Sequence, residues 1–332
     1  MAEILVTGGA GYIGSHIVRR LCEADRDVVV VDDLSSGHRA AVGGARLVVG
    51  DFADTEILDE CLGRGVEWII HMAAFCEVGA SVKEPADYYR NNLGRSLALL
   101  DAAKRHRIRG MVFSSSAAVY GEPRETPITE DHPPCPTNPY GETKLAFERA
   151  LGWYSGAYGL RWVALRYFNA AGAHPSAEIG EDHDPESHLV PRLLRSALHG
   201  GEETPIFGDD WPTRDGTCIR DYVHVVDLAE AHVLAMRAME TDRAAAASFN
   251  LGNGEGFTVL EVVHAIERVT GRRPPTRPAP RRPGDPAVLV ASSDRARSEL
   301  GWTPAFGSLE SILGTAWEWH RKRPGGYDSP AG

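Results

Sequence analysis

Short runs that are apolar at every position recur through the first half of the chain, at residues 4–6, 28–31, 47–49, 68–70, 111–113 and 162–165. Such runs are too short for helices and lack the alternation of a half-exposed strand, so they predict parallel strands buried on both faces. Between them, residues 13–24, 55–62, 88–105 and 140–158 carry apolar positions at helical spacing. Strands alternating with helices predict an α/β fold, a doubly wound parallel Rossmann sheet covered by helices on both sides.

The second half has a different texture. Gly, Pro and His become frequent from residue 173 to 221, which predicts loops around a ligand rather than regular elements. A helix over 227–239 and a strand over 248–251 are expected to return to the first lobe. Residues 272–282, rich in Pro and Arg, are too polar for a core, and 323–332 reads as a loose tail. The division expected is a first lobe over residues 1–170, rejoined by about 219–252, and a smaller α+β lobe over 171–332. A chain of 332 residues exceeds what a single core usually serves, in keeping with two lobes.

Composition narrows the partners. A net charge of -11 without a basic stripe argues against nucleic acid. It leaves room for a nucleotide, because a few arginines and a helix N-terminus hold phosphates locally. The five cysteines, Cys22, Cys61, Cys76, Cys135 and Cys218, are odd in number and have no Cys-x-x-Cys pair. They predict reduced thiols in a cytoplasmic protein, with no disulfide framework and no zinc or other metal site. No apolar run approaches the ~18 residues of a membrane span, and an apolar strand at residue 4 leaves no room for a signal peptide.

Thr7-Gly8-Gly9-Ala10-Gly11-Tyr12-Ile13-Gly14 lies between the first predicted strand and the first predicted helix. Gly8, Gly11 and Gly14 give a tight turn, a close approach for a pyrophosphate and a helix packed near the sheet, with the diphosphate at the helix's positive end. Asp32, followed by Asp33, ends the second strand, where a carboxylate accepts from ribose hydroxyls and favours NAD over NADP. The competing reading of Asp32 is a cap on the next loop. Asp51 follows the third strand and is placed to meet the adenine.

Tyr140 and Lys144 stand one turn apart on one face of a predicted helix. With 10 tyrosines and four lysines in 332 residues, such a pair arises by chance about 0.1 times. An ammonium beside a phenol favours the phenolate and makes a usable base near neutral pH. The plainer alternative is a half-buried aromatic beside a lysine whose stem covers it. Ser114-Ser115-Ser116 ends a central strand, where open α/β sheets hold their ligands. Ser116 is the candidate to exchange a proton with a substrate hydroxyl, against the alternative of a polar strand end.

These motifs, with residues 71–92, 167–173, 183–191, 206–227, 250–257 and 282–302, resemble the UDP-glucose (UDP-galactose) 4-epimerases of the extended short-chain dehydrogenase/reductase family. The resemblance runs from residue 4 to about 320. It implies an NAD-dependent epimerase in which Tyr140 is the base, Lys144 its electrostatic partner and Ser116 its hydroxyl partner. NAD is implied to lie against Tyr12, Ile13, Asp32, Asp51, Phe52, Ala73, Asn91 and Lys144, with Ser114 and Tyr167 completing that side. Asn169, His188, Leu189, Phe207, Arg220, Tyr222, Arg282, Asp285 and Leu289 are implied to hold a UDP-sugar. Without the resemblance, Arg220 and Arg282 read as surface residues. A homodimer formed by the helices at 91–105 and 141–158 is a further implication, although their apolar faces are equally explained as core.

Two positions depart from the family pattern. Ala118 stands where many members have Thr, and Cys76 where a lysine can occur near the cofactor. Leu289, smaller than the bulky residue that limits acetylated sugars, implies some tolerance for UDP-GlcNAc. A 4,6-dehydratase would need an Asp-Glu pair after the active hydroxyl residue, where this chain has Ala117-Ala118. A 4-epimerase for another sugar nucleotide and a non-catalytic dinucleotide sensor remain as alternatives.

Overall fold

β-Branched runs form the spine of the structure, a computed structural model that describes residues 3–201, 203–282 and 284–328. The first half contains β1 (Glu3–Thr7), α1 (Tyr12–Glu23), β2 (Val28–Asp32), β3 (Arg46–Val49), α2 (Thr55–Leu62) and β4 (Val66–His71). It continues with α3 (Val78–Lys83), α4 (Pro85–Tyr88), α5 (Ser96–Arg105), β5 (Gly110–Ser116), α6 (Pro139–Tyr158) and β6 (Arg161–Tyr167). The second half contributes β7 (Asn169–Ala171), α7 (Leu189–His199), β8 (Thr204–Phe207), β9 (Ile219–His224), α8 (Val225–Glu240) and β10 (Ala246–Leu251). After these come β11 (Gly256–Thr258), α9 (Val259–Thr270), β12 (Thr276–Ala279), β13 (Val288–Leu289) and α10 (Leu309–Lys322).

Seven parallel strands form the large sheet in the order β10-β6-β5-β4-β1-β2-β3. This is the doubly wound Rossmann arrangement, and all six predicted strands lie in it. Both faces are covered because successive residues point to opposite sides. Ile4, Val6, Val28, Val30, Ile70 and Val112 pack under α1 and α8. Leu5, Val29, Val31, Ile69, Met111 and Phe113 pack under α2, α5 and α6. Each such side chain, fully buried, is worth about 1.5–3 kcal/mol.

The winding reverses between β1 and β4, and the crevice at their carboxyl ends is the expected ligand position. Gly8, at φ +71°, closes this end of the sheet: a Cβ there would lie 2.6 Å from the Ala73 amide nitrogen.

In the smaller lobe, β9 pairs with β7, β11 and β13. A separate parallel pair is formed by β8 and β12. Helices α7, α9 and α10 close over a second core that includes Leu193, Leu194, Val262, Ile266, Ile312 and Leu313. Strand β9 belongs to this lobe, whereas α8 and β10 return to the large sheet.

Three expectations are corrected. Residues 173–221 are not all loop, since α7, β8 and the start of β9 lie within them. Pro191 masks α7, yet it sits in the first turn, where a missing N–H costs little. The helix expected over 88–105 is interrupted by a π-helical turn at Tyr89–Arg95, within which Asn91 and Asn92 are buried. The tail is docked as far as residue 328: the Tyr327 ring stacks on His38 at 4.6 Å, and its backbone N–H donates to Asp182 at 2.9 Å. Residues 329–332 of that expected tail lie outside the described residues.

Candidate active site

The carboxyl ends of the central strands and the inner edge of the smaller lobe enclose a cavity of about 580 Å³. At one end the glycine-rich turn delivers the chain into α1. Gly11 is the N-cap and offers no side chain to the helix end, and the first turn carries no acidic residue. Exposed N–H groups and the helix dipole therefore face the cavity unopposed. A Cβ on Gly14 would lie 2.1 Å from the Gly8 carbonyl oxygen, whereas one on Gly11 would meet nothing nearer than 3.5 Å. Gly14 is thus required by the turn itself, and Gly11 leaves room for a ligand. That cradle fits a dinucleotide pyrophosphate.

Asp32 accepts from the Ala10 and Leu34 backbone N–H groups, each at 2.9 Å, which ties the glycine turn to the end of β2. Burial pushes its carboxyl up, while those two hydrogen bonds oppose the rise. Asp33 lies beside it at the cavity edge, accepting from Ser35 N–H at 2.9 Å. Tyr12, Ile13, Phe52, Ala73 and Asn91 continue this wall. Asp51 does not join it. Its carboxylate accepts from Ala53 N–H at 2.9 Å and pairs with Arg95 at 3.3 Å, because the turn after β3 uses the side chain for itself.

At the centre, β5 and α6 meet. Asn138 caps α6 by accepting from Gly141 N–H at 2.9 Å, Pro139 occupies the first turn, and the helix then presents Tyr140 and Lys144 to the cavity. The Lys144 ammonium donates to the Ser114 carbonyl at 2.8 Å and lies 5.7 Å from the Tyr140 ring centroid. Burial lowers the Lys144 pKa to about 8. Burial pushes the Tyr140 phenol well up, with Tyr167 and Cys76 adding to the rise and a hydrogen bond with Ser116 opposing it. Ser116 accepts from Ala118 N–H at 3.1 Å, so its own proton stays free for the phenol. Ser114 and Tyr167 hydrogen-bond each other through their hydroxyls on the same wall.

At the far end stand Asn169, His188, Leu189, Phe207, Arg220, Tyr222, Arg282, Asp285 and Leu289. Asp285 lies between two guanidinium groups, 3.9 Å from Arg220 and 3.4 Å from Arg282. The Arg282 guanidinium also sits over the Phe207 ring at 4.4 Å. Two pre-oriented forks facing one space suit a diphosphate. All the site residues expected from sequence except Asp51 therefore share one cavity. Sequence reasoning missed Thr137, Asn138, Glu181 and His183, which line it too. Asn138-Pro139 was findable as a helix start, but Glu181 and His183 lie in irregular chain with no periodic signal.

The fold and site together define a doubly wound α/β protein with a dinucleotide cradle and a Tyr–Lys pair. The chain belongs to the NAD dependent epimerase/dehydratase family, whose model matches residues 4–252. Within it, the chain is 51% identical over 327 residues to the UDP-glucose 4-epimerase of Halalkalibacterium halodurans, covering 98% of each chain. The UDP-glucose 4-epimerase of Brucella ovis, solved in complex with NAD, superimposes with a TM-score of 0.92 at 45% identity, over 96% of this chain and 98% of that one. That of Bifidobacterium longum, solved with NAD+ and UDP, gives 0.93 at 37% identity, over 98% and 100%.

Proposed function

We propose that the chain inverts carbon 4 of a UDP-hexose, interconverting UDP-glucose and UDP-galactose through a transient 4-keto sugar. The observation that carries this reading is the meeting of Tyr140, Lys144 and Ser116 between a dinucleotide cradle and a pair of arginines in one cavity. Tyr140 takes the proton of the 4′-hydroxyl, and Ser116 hydrogen-bonds the phenol through the transfer. Lys144 brings the positive charge that favours the phenolate against its burial. NAD, held along the glycine turn and Asp32, would supply there a two-electron acceptor for the hydride of carbon 4. Arg220 and Arg282 hold the diphosphate while the sugar turns its other face to Tyr140, so remote binding energy retains the intermediate.

Residues 1–170 with the returning α8 and β10 serve the cofactor, and the remainder serves the UDP-sugar. A second copy is proposed to pack on α5 and α6, where Trp153 is 79% exposed; a monomer by light scattering at working concentration rejects this. Among the described residues no helix is long and apolar enough to cross a membrane, and the free cysteines suit the cytoplasm.

The test is incubation with UDP-glucose, with products resolved by NMR. UDP-galactose formed by the native chain and lost in Tyr140→Phe supports the reading. Inversion of a different sugar nucleotide without turnover of UDP-glucose keeps the mechanism and replaces the substrate; binding without any product leaves a sensor. Leu289 lines the sugar end of the cavity, which favours measurable activity on UDP-GlcNAc. Equal or better turnover of that sugar by Leu289→Tyr refutes this part.

A further inference from the structure

Between the docked tail and the start of α7 runs Glu181-Asp182-His183-Asp184-Pro185-Glu186-Ser187-His188, whose chemistry the proposed reaction does not use up. Glu181, His183, Glu186 and His188 each turn one donor atom inward, and these four atoms lie within 4.8 Å of one another. The contacts alternate nitrogen and oxygen around a ring. His188 Nδ1 is 3.0 Å from Glu181 Oε1 and 3.2 Å from Glu186 Oε1. His183 Nδ1 is 3.6 Å from Glu181 Oε1 and 3.6 Å from Glu186 Oε2. A tetrahedral cation with bonds of about 2.0–2.1 Å to nitrogen and oxygen has ligand–ligand edges of about 3.3–3.4 Å. With Glu186 Oε2 as the fourth donor, the contacts at 3.0, 3.6 and 3.6 Å fall on either side of that length, while the 3.2 Å contact runs to the other carboxylate oxygen.

A second observation points the same way. His183 Nδ1 and Glu186 Oε2 are buried and have no hydrogen-bond partner. They face each other at 3.6 Å, too far for a hydrogen bond, and the Glu186 side chain is only 5% exposed. Buried polar atoms are rarely left so, and one cation between them would satisfy both. Two carboxylates in little water also call for compensating positive charge.

We propose that Glu181, His183, Glu186 and His188 form a binding site for one divalent transition-metal cation of the zinc class. Two imidazoles among four donors disfavour magnesium and calcium, which take oxygen ligands. Four protein donors close the coordination sphere, which marks a structural site rather than a catalytic one. Its consequence is local order. The cation would fix His188, the N-cap of α7, and hold His183 against Tyr12, whose ring it meets edge-on at 6.4 Å. The site would thereby brace the cavity wall that joins the glycine turn to the sugar end. His188 uses Nδ1 for this cluster, and Cys76 lines the same cavity.

The test uses the full chain with NAD bound, stripped with a chelator and titrated with Co²⁺ as a spectroscopic probe, then with Zn²⁺. The expected result is one Co²⁺ per chain with the intense visible bands of tetrahedral coordination, displaced by one equivalent of Zn²⁺. Glu186→Gln and His188→Asn are each expected to weaken binding by about 100-fold or more, since even loss of an outer partner costs about 10–100-fold. His188 is 45% exposed, so its replacement remains informative where Glu186→Gln fails to fold. No stoichiometric binding, or binding that His188→Asn retains at full strength, overturns the proposal in favour of plain imidazole–carboxylate pairs. The readout is independent of turnover, so it stands or falls apart from the epimerase reading.

Discussion

Glu148 is one turn beyond Lys144 on α6, and replacing it by glutamine should be the most damaging isosteric change in the large lobe. Its carboxylate receives Arg166 Nε at 3.0 and 3.2 Å and Arg166 Nη2 at 2.5 Å, and it also accepts from the Ser115 hydroxyl. The two side chains are 5% and 9% exposed. Burial works against the Arg166 charge, but the hydrogen bonds and charge of Glu148 outweigh it and raise its pKa further, so the guanidinium stays ionised. Glutamine keeps one acceptor and turns an amide NH₂ towards the guanidinium, leaving a buried cation without its counter-charge. Breaking such a pair from one side costs about 3–5 kcal/mol. Removing both charges in Glu148→Leu/Arg166→Met should cost far less, within about 1–2 kcal/mol, because no orphan charge remains. The Tyr120 hydroxyl, which receives Arg166 at 2.9 Å, still donates to Asn250 at 2.7 Å in the double variant. Urea unfolding of the three proteins, comparing midpoints at matched slopes, measures both effects. A loss below about 1 kcal/mol in Glu148→Gln, or a double variant as unstable as the single one, refutes the reasoning.

Two further outcomes follow from the geometry. Burial holds His16, His71, His224 and His320 at about 3 and His232 at about 4, below the ordinary 6.5. The unfolded chain therefore binds more protons between about pH 4 and 6.5, and stability falls as pH drops through that window, by up to about 1.4 kcal/mol per pH unit for each ring. Thermal unfolding across pH should show this loss, and His232→Leu should reduce the slope by about one proton; an unchanged slope counts against it. In the glycine turn, Gly14→Ala should cost about 1–3 kcal/mol or more because the turn must open. Gly11→Ala should leave the melting temperature of the NAD-free protein intact yet weaken NAD about tenfold, or 1.4 kcal/mol. Calorimetry that finds native affinity in Gly11→Ala refutes the assignment of the cradle.

How much of this was legible in the sequence depended on how each signal is encoded. Parallel strands buried on both faces leave uninterrupted apolar runs such as residues 28–31, and these were readable. The pair Tyr140 and Lys144 was readable because helical spacing converts directly into proximity. The smaller lobe was not, since strands of two or three residues, such as Val288–Leu289 and Gly256–Thr258, carry no period. The start of α9 was in fact marked: Thr258 and Glu261 form a reciprocal capping box. Asp51 lies off the cavity lining because an acid at a strand end caps a turn as readily as it meets a ligand. The His–Glu cluster escaped because metal ligands were sought among cysteines, while its four members fold together around a Pro185 turn. The π-helical turn that buries Asn91 and Asn92 left no mark that distinguishes it from ordinary helix.

The edge strand β10 comes from far along the chain, after an excursion through the smaller lobe. Trp302, later still, plugs the core beneath the large sheet and donates to the Asp227 carbonyl at 2.8 Å. The first 170 residues are therefore not a portable module. Cut there, the sheet would end at β6 with an open hydrogen-bonding edge and, with α8 gone, a bare apolar face, the combination that drives chains to aggregate. Evolution working on this architecture has to vary the sugar-facing loops in place, because neither half is free to be exchanged without unravelling the other.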